Sequence, residues 1–166
     1  MPNPFKIPQS VLVVIYTSAL DVLVLRRTDG DGLGAEYWQS VTGSKDRLDE
    51  SWQQTAEREV AEETGIVCTP DVRDAAHLVD WQLENTYDIY PQWLHRYGPG
   101  VSRNTERLFG LQLPQRCAVQ LSPREHTAYK WLPYVQAAEI CFSPSNAEAI
   151  LQIPRFVRPD DFGEGR

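Results

Sequence analysis

The sequence predicts an α+β fold, a mixed β-sheet packed between helices as an α/β/α sandwich, and three features lead there. Short runs dense in β-branched residues recur along the chain, two helical stretches carry their own start and stop signals, and strands flank both helices. At 166 residues and 42% apolar content the chain is long enough to bury one proper core. A single domain over residues 1–158 is expected, with a frayed tail at 159–166.

Residues 11–16 and 22–26 form two β-branched runs joined by a short polar link, which reads as a hairpin. Residues 28–34 alternate glycine and aspartate and read as a loop, after which 37–42 reads as a strand leading to Gly43. A helix follows. Ser51 with Gln54 three residues later is a capping box, Gly65 is a C-cap, and Ala56 and Val60 with Trp52 make one apolar stripe. Ile66 and Val67 would open the next strand. Strands are then expected at 76–83, 86–90 and 106–113, with a sharp loop at Tyr97-Gly98-Pro99-Gly100 before the last of them. Residues 129–132 make a short strand and Pro133 opens a brief helix toward Ile140. Ser145 with Glu148 reads as a second capping box, on a helix whose apolar face is Ala147, Ile150 and Leu151 and which Pro154 ends.

The first helix carries the most chemistry. At about 100° per residue, Glu63 projects roughly 40° to one side of Glu59 and Glu62 roughly 60° to the other, so the three carboxylates share a face. Like charges at these spacings repel, and they sit near the helix C-terminus, where the macrodipole disfavours anions. Two readings are open: a solvated acidic face softened by the Arg58–Glu62 pair, or a seat for a hard divalent cation such as Mg²⁺, which takes carboxylate oxygens and leaves positions for water and phosphate.

Composition narrows the partners. A net charge of −7 disfavours nonspecific binding to nucleic-acid polymers or acidic membranes, whereas a small polyanion needs only a metal and a few local arginines. Cys68, Cys117 and Cys141 are odd in number and far apart, so buried thiols of a reducing cytoplasm are expected rather than disulfides or a zinc site. No apolar run is long enough for a membrane span or a signal peptide.

Gly43, six residues, Glu50, seven residues, then Arg58-Glu59-Val60-Ala61-Glu62-Glu63-Thr64-Gly65-Ile66 resembles the Nudix box. Its usual form has five residues after the glycine. The extra residue falls in the loop before the helix and leaves the helical register intact. The resemblance implies the Nudix fold and hydrolysis of a diphosphate linkage. It implies Mg²⁺, with Mn²⁺ as an alternative, on Glu59 and Glu63, with Glu62 a further ligand or a group that orients water. Arg58 would hold the glutamates by salt bridge and Glu50 would anchor from behind. Asp46 and Asp49 lie in the lengthened loop. A general base is also needed. Glu125 in Ser122-Pro123-Arg124-Glu125-His126 is the leading candidate for base or further ligand, Glu106 competes, and His126 reads as structural.

Four further segments, residues 5–16, 37–44, 95–106 and 125–132, resemble the bacterial dihydroneopterin triphosphate diphosphatases, which release pyrophosphate from 7,8-dihydroneopterin triphosphate in folate biosynthesis and in some cases cleave dATP. By matching position, Glu59, Glu63 and Glu125 fall on metal-binding glutamates. Lys6, Arg26, Thr42, Tyr87, Asp88, Ile89, Tyr90 and Ser143 fall on substrate-contacting positions, and Arg103 and Arg107 could add charge near a triphosphate. The competing expectations are a dATP diphosphatase on the same metal helix and a Nudix-like nucleotide-binding module without turnover.

Overall fold

Strand β1 (Gln9–Thr17) is buried along almost its whole length, as a β-branched run with both faces covered must be. Val11, Val13 and Ile15 enter one apolar cluster with Leu23, Leu25, Phe109 and Leu111, closed by Ala56 and Val60 from helix α1 (Trp52–Thr64). Leu12, Val14 and Tyr16 enter a second cluster. That one is closed by Ala137 and Ala138 of helix α2 (Tyr134–Ile140) and by Ala149 and Ile150 of helix α3 (Pro144–Leu151). Helices on both faces of a central sheet make the α/β/α sandwich. The computed structural model describes residues 4–28, 37–69 and 77–159.

Seven strands form the sheet among the described residues. They are β1, β2 (Asp21–Arg27), β3 (Trp38–Gln39), β4 (Val41–Ser44), β5 (His77–Asp88), β6 (Arg103–Leu113) and β7 (His126–Pro133). The main path runs β3-β2-β1-β6-β5, with β4 beside β1 and β7 beside β2. Among the named strands of the described residues, β1 and β6 alone pair with each other in parallel, from Gln9 opposite Thr105 to Thr17 opposite Leu113, and this makes the sheet mixed. Among the described residues no helix is long and apolar enough to cross a membrane.

Several expected elements take a different form. The stretch at 37–42 is broken at Ser40 into β3, paired with β2, and β4, paired with β1. Asn146 brackets the break: its Oδ1 accepts from the Ser40 N–H at 2.8 Å and its Nδ2 donates to Ser40 Oγ at 2.9 Å. Ile66 and Val67 are not a strand. After Gly65 turns in the left-handed region at φ 76°, the Ile66 N–H bonds Thr64 Oγ1 instead of a ladder.

The two expected strands at 76–83 and 86–90 are one, β5, kinked where the register jumps between Asp80 and Leu83 and Gln82 adopts φ 59°. Tyr90 instead precedes a 3-10 turn at Pro91–Arg96 that the sequence reading missed. Helix α3 is capped by Ser143 rather than Ser145, because Pro144 supplies a first-turn residue with fixed φ and starts the helix earlier. Its buried face holds Ala149 and Ile150, while Leu151 is half exposed. Cys68 is buried, whereas Cys117 is exposed. Most of the expected 28–34 loop, residue 76 and nearly all of the expected tail lie outside the described residues.

Candidate active site

Helix α1 begins with a complete capping box between Ser51 and Gln54, which fixes the register that aims its acids. Ala56 and Val60 pack into the core, and the adjoining flank of the same buried face turns toward β4. There Glu59 and Glu63 are almost fully buried, while Glu62 is half exposed at the rim. Glu63 Oε2 accepts the Thr42 N–H at 3.1 Å. A Cβ on Gly43 would overlap the Glu59 carboxylate, so a side chain here would force that carboxylate to shift.

Arg58 ties the acids to the loop. Its guanidinium contacts Glu50 Oε1 at 2.9 Å, Glu59 Oε1 at 2.9 Å, Glu62 Oε2 at 3.3 Å and Asp46 Oδ2 at 3.1 Å, and donates to the Ser44 carbonyl at 3.0 Å. The longer loop is absorbed by a turn in which Glu50 also accepts the Asp46 N–H at 3.0 Å. Asp49 pairs instead with Arg47, at the surface. Hydrogen bonds from Arg58 draw the Glu50 pKa down to about 2, so Glu50 is an anion engaged in structure.

The acids facing the cleft behave oppositely. Desolvation pushes Glu59 up to about 7 despite the attraction of Arg58. Desolvation, then repulsion from Glu59 and Glu125, holds Glu63 well above the ordinary carboxylate range. Exposed Glu125, from the loop ahead of β7, and buried His126, the first residue of β7, approach them. One donor atom each from Glu63, Glu125 and His126 lie within 4.8 Å of one another. His126 Nε2 also sits 3.1 Å from Gln39 Nε2 and 3.8 Å from Glu63 Oε1. Buried carboxylates forced together without enough positive charge fit a hard divalent cation, whose charge would relieve both desolvation and repulsion. Of the expected ligands, Glu59 and Glu62 stand outside that three-donor group, and His126, read from sequence as structural, stands within it.

These groups line one open cleft of about 1600 Å³. Of the residues carried over from the resemblance, Lys6, Thr42, Tyr87, Asp88, Tyr90 and Ser143 line it, together with Arg58, Glu59, Glu62, Glu63 and Glu125. Arg26 and Ile89 do not line it. Arg26 Nε donates to Thr127 Oγ1 at 3.0 Å, and alternation along β2 gives the cleft to Arg27 instead. Ile89 is buried, its N–H bonded to the Ser102 carbonyl. Arg107 is held by Asp80 and Glu84 away from the cleft, and Arg103 pairs with Asp88 at the surface.

Sequence reasoning missed Arg27, Tyr37, Trp93, Arg96 and Asn104, all of which line the cleft. Tyr37 stacks on Phe142 at 4.3 Å, Trp93 meets Tyr90 edge-on at 5.3 Å, and the Arg27 guanidinium lies over both Tyr37 and Trp93. Lys6 joins this wall through its N–H to the Arg96 carbonyl at 2.8 Å. Desolvation lowers the Lys6 pKa most, and repulsion from Arg96 and Arg27 lowers it further. Three cations therefore converge in the cleft that holds the acids. Adjacent arginines at 26 and 27 give no sign in sequence of which faces inward. Trp93 and Arg96 sit on the 3-10 turn, which lacks the periodicity of a helix or strand.

Comparison with known proteins agrees with this geometry. The chain is 42% identical over 149 residues to the dihydroneopterin triphosphate diphosphatase of Escherichia coli strain K12, covering 89% of this chain and 93% of the relative. It is 34% identical over 147 residues to the enzyme of the same name from Haemophilus influenzae, covering 88% and 87%. The solved structure of the E. coli dihydroneopterin triphosphate pyrophosphohydrolase superimposes with a TM-score of 0.79 at 41% identity, over 90% of this chain and 97% of that one. The NUDIX domain family matches residues 6–153, and with the acids of α1 gathered at the mouth of the cleft, the chain belongs to that family.

Proposed function

We propose that this chain is a divalent-metal-dependent diphosphatase that hydrolyses 7,8-dihydroneopterin triphosphate to the monophosphate and pyrophosphate. One observation carries the reading: the buried Glu59 and Glu63 share a single cleft with Lys6, Arg27 and Arg96, in a chain 42% identical to an enzyme named for that substrate. Glu59, Glu63 and Glu125, with Glu62 at the rim, would hold Mg²⁺ or Mn²⁺. When bound there, such an ion neutralises phosphate charge and makes a coordinated water more acidic.

The chain's own residues supply the rest. Lys6, Arg27 and Arg96 meet the polyphosphate oxygens with positive charge, Arg27 and Arg96 through planar donor forks. The Thr42 N–H and the Arg58 guanidinium hold Glu63 and Glu59 in place, so little reorganisation is needed when charge builds up at the scissile phosphorus. Glu125 is exposed on its loop and is the candidate to accept the proton of the attacking water. Tyr37, Tyr90 and Trp93 offer flat faces to the heterocycle.

The test is purified protein with Mg²⁺ and a panel of triphosphates, reading pyrophosphate against orthophosphate. The expected result is pyrophosphate release, with kcat/KM for dihydroneopterin triphosphate exceeding that for dATP. A tenfold preference for dATP, about 1.4 kcal/mol of transition-state discrimination, would replace the pterin reading with the nucleotide one. Tight binding of the whole panel without turnover would make the chain a binding module.

A further inference from the structure

The acids of α1 and Glu125 account for one corner of the cleft, yet another buried carboxylate lines it. Glu106 is 5% exposed and sits on β6, opposite Ser10 of β1 and Asn85 of β5. The register carries it on the same sheet face as Leu12 and Leu108, the face away from α1. Its charge acts on the phenols of Tyr87 and Tyr97, which also line the cleft.

The Thr42 hydroxyl donates to the Glu106 carboxylate and offsets part of the cost of its burial. A carboxylate can accept about four hydrogen bonds, so Glu106 keeps capacity for donors from a ligand in the cleft it lines. Its neighbours do not help. The Asn104 Nδ2 protons go to Ser10 Oγ at 2.7 Å and to the Tyr87 hydroxyl at 2.9 Å. Phosphate is excluded as the missing partner, because two anions would face each other and the converging cations offer phosphate a better place. What remains is the uncharged head of the substrate.

From this geometry we infer that Glu106 is the specificity-determining residue for the heterocycle, accepting the paired N–H donors of a 2-amino-4-oxo pyrimidine edge. That edge presents a ring N–H beside an exocyclic amino group, two parallel donors that match a carboxylate as a guanidinium fork does. Pterins and guanine carry it. Adenine does not: beside its amino group stands a ring nitrogen whose lone pair would face the carboxylate. A buried acceptor of this kind selects by leaving itself unpaired against the wrong ring, the route by which hydrogen-bonding sites reach large discrimination. The inference rests on the diphosphatase reading, and it predicts that the same residue separates guanine from adenine nucleotides.

The test is E106Q with Mg²⁺, assayed for kcat/KM on dihydroneopterin triphosphate, dGTP and dATP. An amide of the same shape keeps one acceptor and turns a donor toward the ligand's donors. The expected result is a loss of tenfold or more for the pterin and for dGTP, with the dATP value changed less than threefold. Calorimetry with dihydroneopterin, which carries no phosphate, should show the same weakening without any dependence on turnover, while adenosine binding stays unchanged. Equal losses on all three triphosphates, or no loss on any, would overturn the assignment. Should the wild-type protein cleave nucleotides but not the pterin triphosphate, the functional proposal fails by itself. The dGTP-to-dATP ratio of E106Q then still decides the role of Glu106.

Discussion

At the scale of single residues, Glu63 is the sharpest test, because the proposed cation would need its charge while its surroundings resist it. The carboxylate is 3% exposed, and desolvation with two neighbouring acids raises its pKa. Glu63→Gln keeps an oxygen that can accept the Thr42 N–H but removes the charge. Mg²⁺-dependent pyrophosphate release should therefore fall at least a hundredfold, while the metal-free melting temperature equals or exceeds that of the wild type. Added Mg²⁺ should stabilise the wild type, by about 2.7 kcal/mol at a hundred times its dissociation constant, and leave the variant unmoved. Near-normal turnover in the variant would put the site elsewhere. Gly43→Ala tests the other side of the same contact. The new methyl would occupy the space of the Glu59 carboxylate, so the cation-induced rise in melting temperature should shrink sharply and activity with it. A variant with wild-type metal response would mean that Glu59 has room to move.

At the scale of elements, α1 was legible because its signals are local: cap, stripe and αL glycine all lie within fifteen residues of one another. The elements misread were those decided by partners distant in sequence. Ser40 reads as mid-strand until Asn146, 106 residues away, takes both its polar groups, and Ile66-Val67 has strand composition but no ladder to join. The same contrast governs the loop before α1. Sequence could count its extra residue but not show that Arg58 gathers the loop and the helix into one unit, touching Asp46, Glu50, Glu59, Glu62 and the Ser44 carbonyl. A lysine has a single ammonium and no planar fork, so it cannot serve those partners together. Arg58→Lys should cost roughly 1–3 kcal/mol of stability, because buried Glu50 loses its paired donors. It should also lower kcat at least tenfold as Glu59 loses its orientation. Urea denaturation and steady-state kinetics measure the two separately, and a variant with unchanged midpoint and kcat would show that Arg58 is a surface ornament.

At the scale of the whole molecule, the sandwich and the acidic corner of the cleft were legible in the chain, since a motif of fixed spacing survives in one dimension. The cationic and aromatic part of the cleft was not legible, because Lys6, Arg27, Arg96 and Trp93 meet only after β1, β2 and the 3-10 turn are assembled, and none is part of a periodic pattern. Nor did the chain reveal how much stability the cleft forgoes to keep its acids in place, which the pH dependence of folding measures. Glu106 is the cleanest probe, lying outside the three-donor group. Burial raises its pKa from the ordinary 4.5 to about 7 in the folded chain. A carboxyl whose folded pKa is raised stabilises the fold fully below its unfolded value. That contribution is lost as pH climbs from about 4.5 through about 7, where the folded state must give up a proton it holds more tightly than the unfolded chain does. Glu50 works in the other direction and elsewhere: drawn down to about 2, it stabilises above the ordinary carboxylate value and fails only as pH falls toward 2. Between pH 5 and 8, then, unfolding of wild type and E106Q in urea, both without metal, isolates the Glu106 contribution, other groups being common to the two proteins. The amide has no proton to lose, so the variant should gain on the wild type as pH rises, by up to roughly 3 kcal/mol at 1.36 kcal/mol per pKa unit. Parallel pH curves would mean that Glu106 is solvated in the folded protein, and its place as a desolvated acceptor for the substrate ring would fall with them.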